Sequence, residues 1–189
     1  MGNVLKLKEE LEQDGIKVSI TDIIIKAAAT ALKRNAKINA SFMGELVRYY
    51  KRINIGIAVS LEDGLISPVI RDADLKGLKE ISDETKDLVS RARKKSLRPD
   101  EYEGGSITIS NLGMFNIENF IAVITPPEAS VIAVGSIIDE PVVAGGVVSS
   151  AKRMKVTLSF DHRVIDGVQG ARFLIDLKGC LEYPARMIE

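Results

Sequence analysis

Residues 22–34 constrain the fold more than any other stretch. Ile23, Ile24, Ala27, Ala28, Ala31 and Leu32 recur there at helical spacing and cover most of the circumference rather than one stripe. Ser19 to Asp22 supply N-terminal caps, so the spacing predicts a helix over 22–34. A helix that is apolar on most sides has to be covered on most sides, by a sheet beneath and helices beside it. The rest of the chain offers both. Residues 4–13, with Val4, Leu5, Leu7 and Leu11 among charges, read as a short amphipathic helix stopped at Gly15. Residues 78–95 read as a long one, with Leu78, Ile81, Leu88 and Ala92 near one face, and residues 167–183 as a last one halted by Pro184. Strand patterns cover 53–59, 65–70, 106–110, 129–138, 140–144 and 155–160. Glu62-Asp63-Gly64 turns between the first two, Pro68 implies an edge or a bulge, and Gly145-Gly146 suits a hairpin. Helices gather in the first half and at the end, and strands in the second half. With no repeat or linker, this predicts a single α+β domain.

Composition removes several functions. The 189 residues carry 26 Lys plus Arg against 26 Asp plus Glu, so the basic surplus of a nucleic-acid binder is missing. Aromatic residues are 5% and Trp is absent, which argues against a stacking platform. A single Cys rules out an intrachain disulfide and a four-thiolate zinc site, and a single His rules out a two-His metal motif. The longest apolar runs are far too short to span a bilayer, and no secretory leader is visible. The reading is an intracellular, cytoplasmic domain with no metal and with neither nucleic acid nor membrane as partner.

Four features bear on chemistry. His162 lies in a short polar loop where a strand ends, a place from which rigid scaffolds present reactive groups. A neutral imidazole there can take a proton near pH 7, although a lone His is more often a hydrogen-bonded structural residue. Ser110, beside Asn111 and Gly113, also leaves a strand end; it reads as an oxyanion donor or as a turn residue bonded to its own backbone. Asp166 precedes the last helix, where it serves as an N-cap, as a brace for the His162 loop, or as both. The basic helix end Arg91, Arg93, Lys94 and Lys95 complements the helix dipole or meets cofactor phosphates, the first being the commoner case. Cys180 shares an apolar stripe with Phe173, Leu177 and Pro184, which makes it core rather than nucleophile.

Taken in order, four blocks resemble the catalytic domain of the dihydrolipoamide acyltransferases, the core components of 2-oxo acid dehydrogenase complexes. They are residues 21–27; residues 54–59 with 63–70; residues 108–115 with Pro126-Pro127; and Ser159-Phe160-Asp161-His162-Arg163-Val164-Ile165-Asp166-Gly167. The resemblance spans residues 1–189 as one acyltransferase domain. It implies that the family's basic N-terminal arm and first strand are missing, along with its lipoyl and subunit-binding domains. It also implies a chloramphenicol-acetyltransferase-like mixed sheet flanked by helices, and trimers that build larger hollow cores. Coenzyme A and a dihydrolipoyl arm carried by a separate domain are the implied substrates, and the lipoyl domains and dehydrogenase components the implied partners. In a eukaryote the location would be the mitochondrial matrix. By the same resemblance His162 is the general base, Ser110 stabilises the oxyanion and Asp166 braces the loop. Two alternatives stay open: a non-catalytic structural core, or a free-standing acetyltransferase of the same fold.

Overall fold

The computed structural model describes residues 1–187. The chain opens with α1 (Gly2–Gln13), released by the left-handed Gly15 (φ 78°), and α2 (Ile20–Arg34). Ser19 and Asp22 close a capping box on α2: the Asp22 amide donates to Ser19 Oγ at 3.1 Å and the Ser19 amide to Asp22 Oδ2 at 2.7 Å. Ile23, Ile24, Ala27, Ala28 and Ala31 are fully buried, as an apolar circumference demands.

A small hairpin follows, β1 (Ala40–Phe42) and β2 (Val47–Tyr49). Its three-residue strands are too short to carry a two-fold pattern that sequence could reveal. The strand expected over 53–59 is two. In β3 (Ile55–Ile57) the chain lies in the main sheet; in β4 (Val59–Leu61) it leaves it and pairs with β5 (Gly64–Ile66) around Glu62-Asp63. The strand expected over 65–70 is likewise divided. Pro68 has no N–H for a ladder, and after it β6 (Val69–Ile70) returns as an edge strand.

Next comes α3 (Leu78–Arg93), with Ile81, Leu88 and Ala92 buried. At its basic end Arg91 is held by Asp87 and Glu101, and the guanidinium pulls the Glu101 carboxyl down to about 2. Lys95 pairs with Asp63, while Arg93 and Lys94 stay exposed. Then follow β7 (Ile107–Asn111), β8 (Ser130–Ala144), β9 (Val147–Phe160) and α4 (Gly167–Glu182). Residues 129–138 and 140–144 form one strand, not two, and β9 begins well before residue 155. Gly145 (φ 59°) and Gly146 (φ 81°) make the tight turn that keeps the two strands paired to their tips. The register shifts between Val134 and Ile137, and beyond this bulge β8 and β9 run on together as a two-stranded arm.

The main sheet has the order β6-β3-β7-β8-β9. β3, β7 and β8 are parallel; β6 and β9 run antiparallel to their neighbours. This is the expected α+β mixed sheet. Ile55, Ile57, Ile107, Ile109, Ile132 and Val134 point from one face into the helical core, which includes Phe173, Leu177 and Cys180 of α4. The other face is small and polar: Gly56, Thr108, Ser110, Val131, Ala133, Gly135 and Ser159. Residues 116–128 cross it so closely that a Cβ on Gly135 would lie 1.9 Å from the Glu118 carbonyl oxygen. Cys180 is fully buried, as its stripe predicts.

Candidate active site

Ser110 sits near the C-terminal end of β7, half-buried on the polar face. Two anchors fix the segment that follows. The Asn111 side-chain amide donates to Thr21 Oγ1 at 3.0 Å, and its Oδ1 accepts the Gly113 amide at 2.8 Å. The Leu112 amide reaches Val134 O at 3.0 Å, and Gly113 lies where a Cβ would meet Gly135 O at 2.9 Å. Held this tightly by its neighbours, Ser110 has no hydrogen-bond partner for its own hydroxyl among the described residues. The turn-residue reading, which needs that hydroxyl on the backbone, is therefore not what the structure shows.

His162 is the second residue after β9 and is exposed. Its ring lies 5.8 Å from that of Phe160, tilted 41°, and Phe160 rests against Gly170 of α4. The imidazole has no hydrogen-bond partner among the described residues. A structural histidine would be buried and bonded, and this one is neither. The surrounding loop, in contrast, is fixed. The Asp161 amide donates to Ala129 O at 2.8 Å, and the Val164 and Ile165 amides donate to Asp161 O at 2.9 and 3.0 Å. Arg163 grips the Asp161 carboxylate, with Nε 3.0 Å from Oδ1 and Nη2 2.6 Å from Oδ2. The guanidinium holds that carboxyl below the usual range. Neither residue was assigned a role from sequence, although an Asp and an Arg two positions apart around the only His are a visible signal.

Asp166 caps α4: its Oδ1 accepts the Gln169 amide at 2.8 Å, and Gln169 Oε1 accepts the Asp166 amide at 3.3 Å. Among the described residues no cation pairs with Asp166. Capping is thus observed, and an ionic brace within one chain is not.

The topology keeps the three residues from forming one site in one chain. Ser110 pairs with Ala133, and Ala133 with Thr157. His162 lies five residues further along the chain from Thr157, and two strands from β7. At about 3.3 Å per residue and 4.8 Å per strand, Ser110 and His162 are roughly 19 Å apart. β7 and β9 run in opposite directions, so their C-terminal ends present these groups at opposite ends of the sheet.

One half-buried acid shares the polar face. Glu128 packs over Gly56, Gly105 and Thr108, and its buried Oε2 has no hydrogen-bond partner among the described residues. Burial pushes its carboxyl up to about 7, against a smaller opposing effect of the Thr108 hydroxyl bonded to it. No group of three or more potential metal ligands exists among the described residues, and no helix there is long and apolar enough to cross a membrane.

The sequence pattern of the family "2-oxoacid dehydrogenases acyltransferase (catalytic domain)" matches residues 1–189. The chain belongs to this acyltransferase family. Its relatives include the dihydrolipoyllysine-residue acetyltransferase component of the pyruvate dehydrogenase complex from Rickettsia bellii, 42% identical over 98% of this chain and 46% of the relative. The mitochondrial counterpart from Schizosaccharomyces pombe is 44% identical over 100% of this chain and 40% of the relative. The chain thus spans less than half the length of these relatives. Among solved structures, Azotobacter vinelandii dihydrolipoamide acetyltransferase aligns with a TM-score of 0.91 and 31% identity, covering 100% of this chain and 78% of that one. The cubic core of the pyruvate dehydrogenase multienzyme complex gives the same values. Chloramphenicol acetyltransferase, at 14% identity and a TM-score of 0.59 over 92% of this chain and 81% of that one, shares the fold. The Azotobacter work examined the catalytic roles of a serine, a histidine 52 positions later and an asparagine four positions beyond it. In this chain Ser110 and His162 are likewise 52 positions apart, and Asp166 follows His162 by four.

Proposed function

We propose that this domain transfers an acyl group, acetyl in the pyruvate dehydrogenase case, between a dihydrolipoyl thiol and coenzyme A. The observation that carries the reading is His162: an exposed imidazole, without a hydrogen bond among the described residues, on a loop whose other backbone positions are tied down. His162 accepts the proton of the attacking thiol. A free thiol has a pKa near 8.5, so little thiolate exists at neutral pH without such a base. The sulfur adds to the thioester carbonyl, forming one C–S bond, and the carbonyl oxygen becomes an oxyanion that accepts a hydrogen bond from Ser110 Oγ. Collapse breaks the other C–S bond, and the imidazolium returns its proton to the departing thiolate. The acyl group passes directly between two thiols, which is why a buried Cys180 is no obstacle.

With roughly 19 Å between them in one chain, His162 and Ser110 work together only across a subunit boundary. A ring of three chains, each giving His162 to one neighbour and Ser110 to the other, fulfils this. The two-stranded arm supports self-association, for Val143, Val147 and Val148 are 66–73% exposed. Relatives are bacterial and mitochondrial, which fits action in a bacterial cytoplasm or the mitochondrial matrix, with lipoyl domains and dehydrogenase components as partners. The test is steady-state transfer from acetyl-, succinyl- and isobutyryl-coenzyme A to dihydrolipoamide, in wild type and His162→Ala. Loss of roughly 10²–10⁴ in turnover is expected for the variant. Full turnover in a folded, assembled His162→Ala protein would remove the assignment.

A further inference from the structure

The His162 loop is steadied by a residue far away in sequence. The Arg163 guanidinium carbon lies 3.8 Å from the centre of the Phe42 ring, while its nitrogens hold Asp161. Phe42 is the last residue of β1, and β1 and the loop are bonded to the same residue, Ala129. The Ala129 carbonyl accepts the Asp161 amide at 2.8 Å, and the Ala129 amide donates to Ala40 O at 3.2 Å. That bond belongs to an antiparallel bridge that sets Ser41 of β1 opposite Glu128. Ring, guanidinium, Asp161 and the backbone of Ala129 and β1 form a closed circuit, and His162 is the residue between its two charged members.

We infer that Phe42 is a positioning residue for the general base. An exposed ion pair between residues two apart holds little by itself, and the Arg163 side chain is 65% exposed. Stacking on an aromatic face adds attraction and, more importantly, fixes the plane of the guanidinium. That plane sets the Asp161 carboxylate, and the two together set the direction in which His162 leaves the strand. Proton transfer tolerates little misplacement, so a loop that populates its productive arrangement only part of the time lowers turnover by that fraction. This inference rests on His162 being the base.

The experiment measures kcat and KM for acetyl-coenzyme A and dihydrolipoamide on assembled protein, with melting followed in parallel. The variants are Phe42→Leu, Phe42→Tyr, Arg163→Lys, the Phe42→Leu/Arg163→Lys double and His162→Ala. Phe42→Leu and Arg163→Lys should each lower kcat roughly three- to tenfold, with KM for both substrates moving less than about twofold. Phe42→Tyr, which keeps the ring, should restore kcat. The double variant should be no slower than the slower single, because both break one interaction. If Phe42→Leu fails to assemble, Arg163→Lys, altered only at the surface, carries the same test. Unchanged kcat in both singles, a double equal to their product, or a Tyr variant as slow as Leu would each overturn the inference while leaving an inactive His162→Ala as evidence for the base. Turnover surviving in His162→Ala would remove the base and the inference with it.

Discussion

Mixing two inactive chains gives a direct reading of where the site is built. Ser110 and His162 leave opposite ends of one sheet, roughly 19 Å apart by strand register, and a proton and an oxyanion on one tetrahedral carbon cannot be served across that distance. If each site joins His162 of one chain to Ser110 of the next, co-expressed His162→Ala and Ser110→Ala chains should restore some sites. With equal amounts and random mixing, a site is whole when its His donor and its Ser donor are both intact, so about one quarter of sites should work in a closed ring. The parents set the background. Losing the base leaves about 1% or less of wild-type turnover, and losing one oxyanion donor leaves about the same. A quarter of wild-type kcat per site therefore stands more than tenfold above either parent. The assay is acetyl transfer to dihydrolipoamide, on particles whose mixed composition is established by a tag on one chain. Activity in truly mixed particles no higher than in the parents would mean that the two residues act within one chain, and the topological reasoning would be wrong.

Three further outcomes follow from the same geometry. Ser110→Ala should lower kcat by roughly 10²–10³ with KM little changed if, as proposed, its hydroxyl bonds the oxyanion and not the ground-state carbonyl; an unchanged kcat would return Ser110 to the role of a strand-end residue. Asp166→Ala should cost about 0.5–2 kcal/mol of stability through the lost α4 cap, read as a lower melting temperature, and normal melting would contradict the cap. Glu128 titrates about 7 when folded against 4.5 unfolded, so the folded chain favours its neutral form. Its contribution is most favourable below pH 4.5 and is lost as pH rises through 7, by about 3 kcal/mol. Urea unfolding of wild type and Glu128→Gln from pH 4.5 to 8 should therefore diverge with rising pH, and parallel curves would sink the argument.

Much of the fold is legible because helices and buried strands leave periodic traces. The α2 pattern marks a buried helix, the Gly145-Gly146 pair marks a hairpin, and Asp166 marks a helix start. What fails is local. Residues 53–70 read as two strands and form four, because each stays in register for only two or three residues before the chain changes sheet. No two-fold pattern survives such short runs. β1 and β2 escape for the same reason, and with them Phe42, whose partner Arg163 is near it only in space.

The candidate residues are legible in the sequence, and their arrangement in space is not. A lone His at a strand end and a Ser at another are weak signals taken singly, and each has a commoner structural reading. The family resemblance gives them weight as a proposal, and among the described residues neither side chain has a hydrogen-bond partner. What no residue pattern carries is strand direction. β7 lies parallel to β8 and β9 antiparallel to it, so two strand ends that look equivalent in sequence face opposite ways in the sheet. Had β9 been parallel, Ser110 and His162 would open on one edge and a single chain could hold the whole site. Because it is antiparallel, the two residues leave opposite ends of the sheet, and under the proposed mechanism each chain would offer half a site at each end and need a neighbour to complete it. On that proposal the direction of one strand would couple activity to assembly.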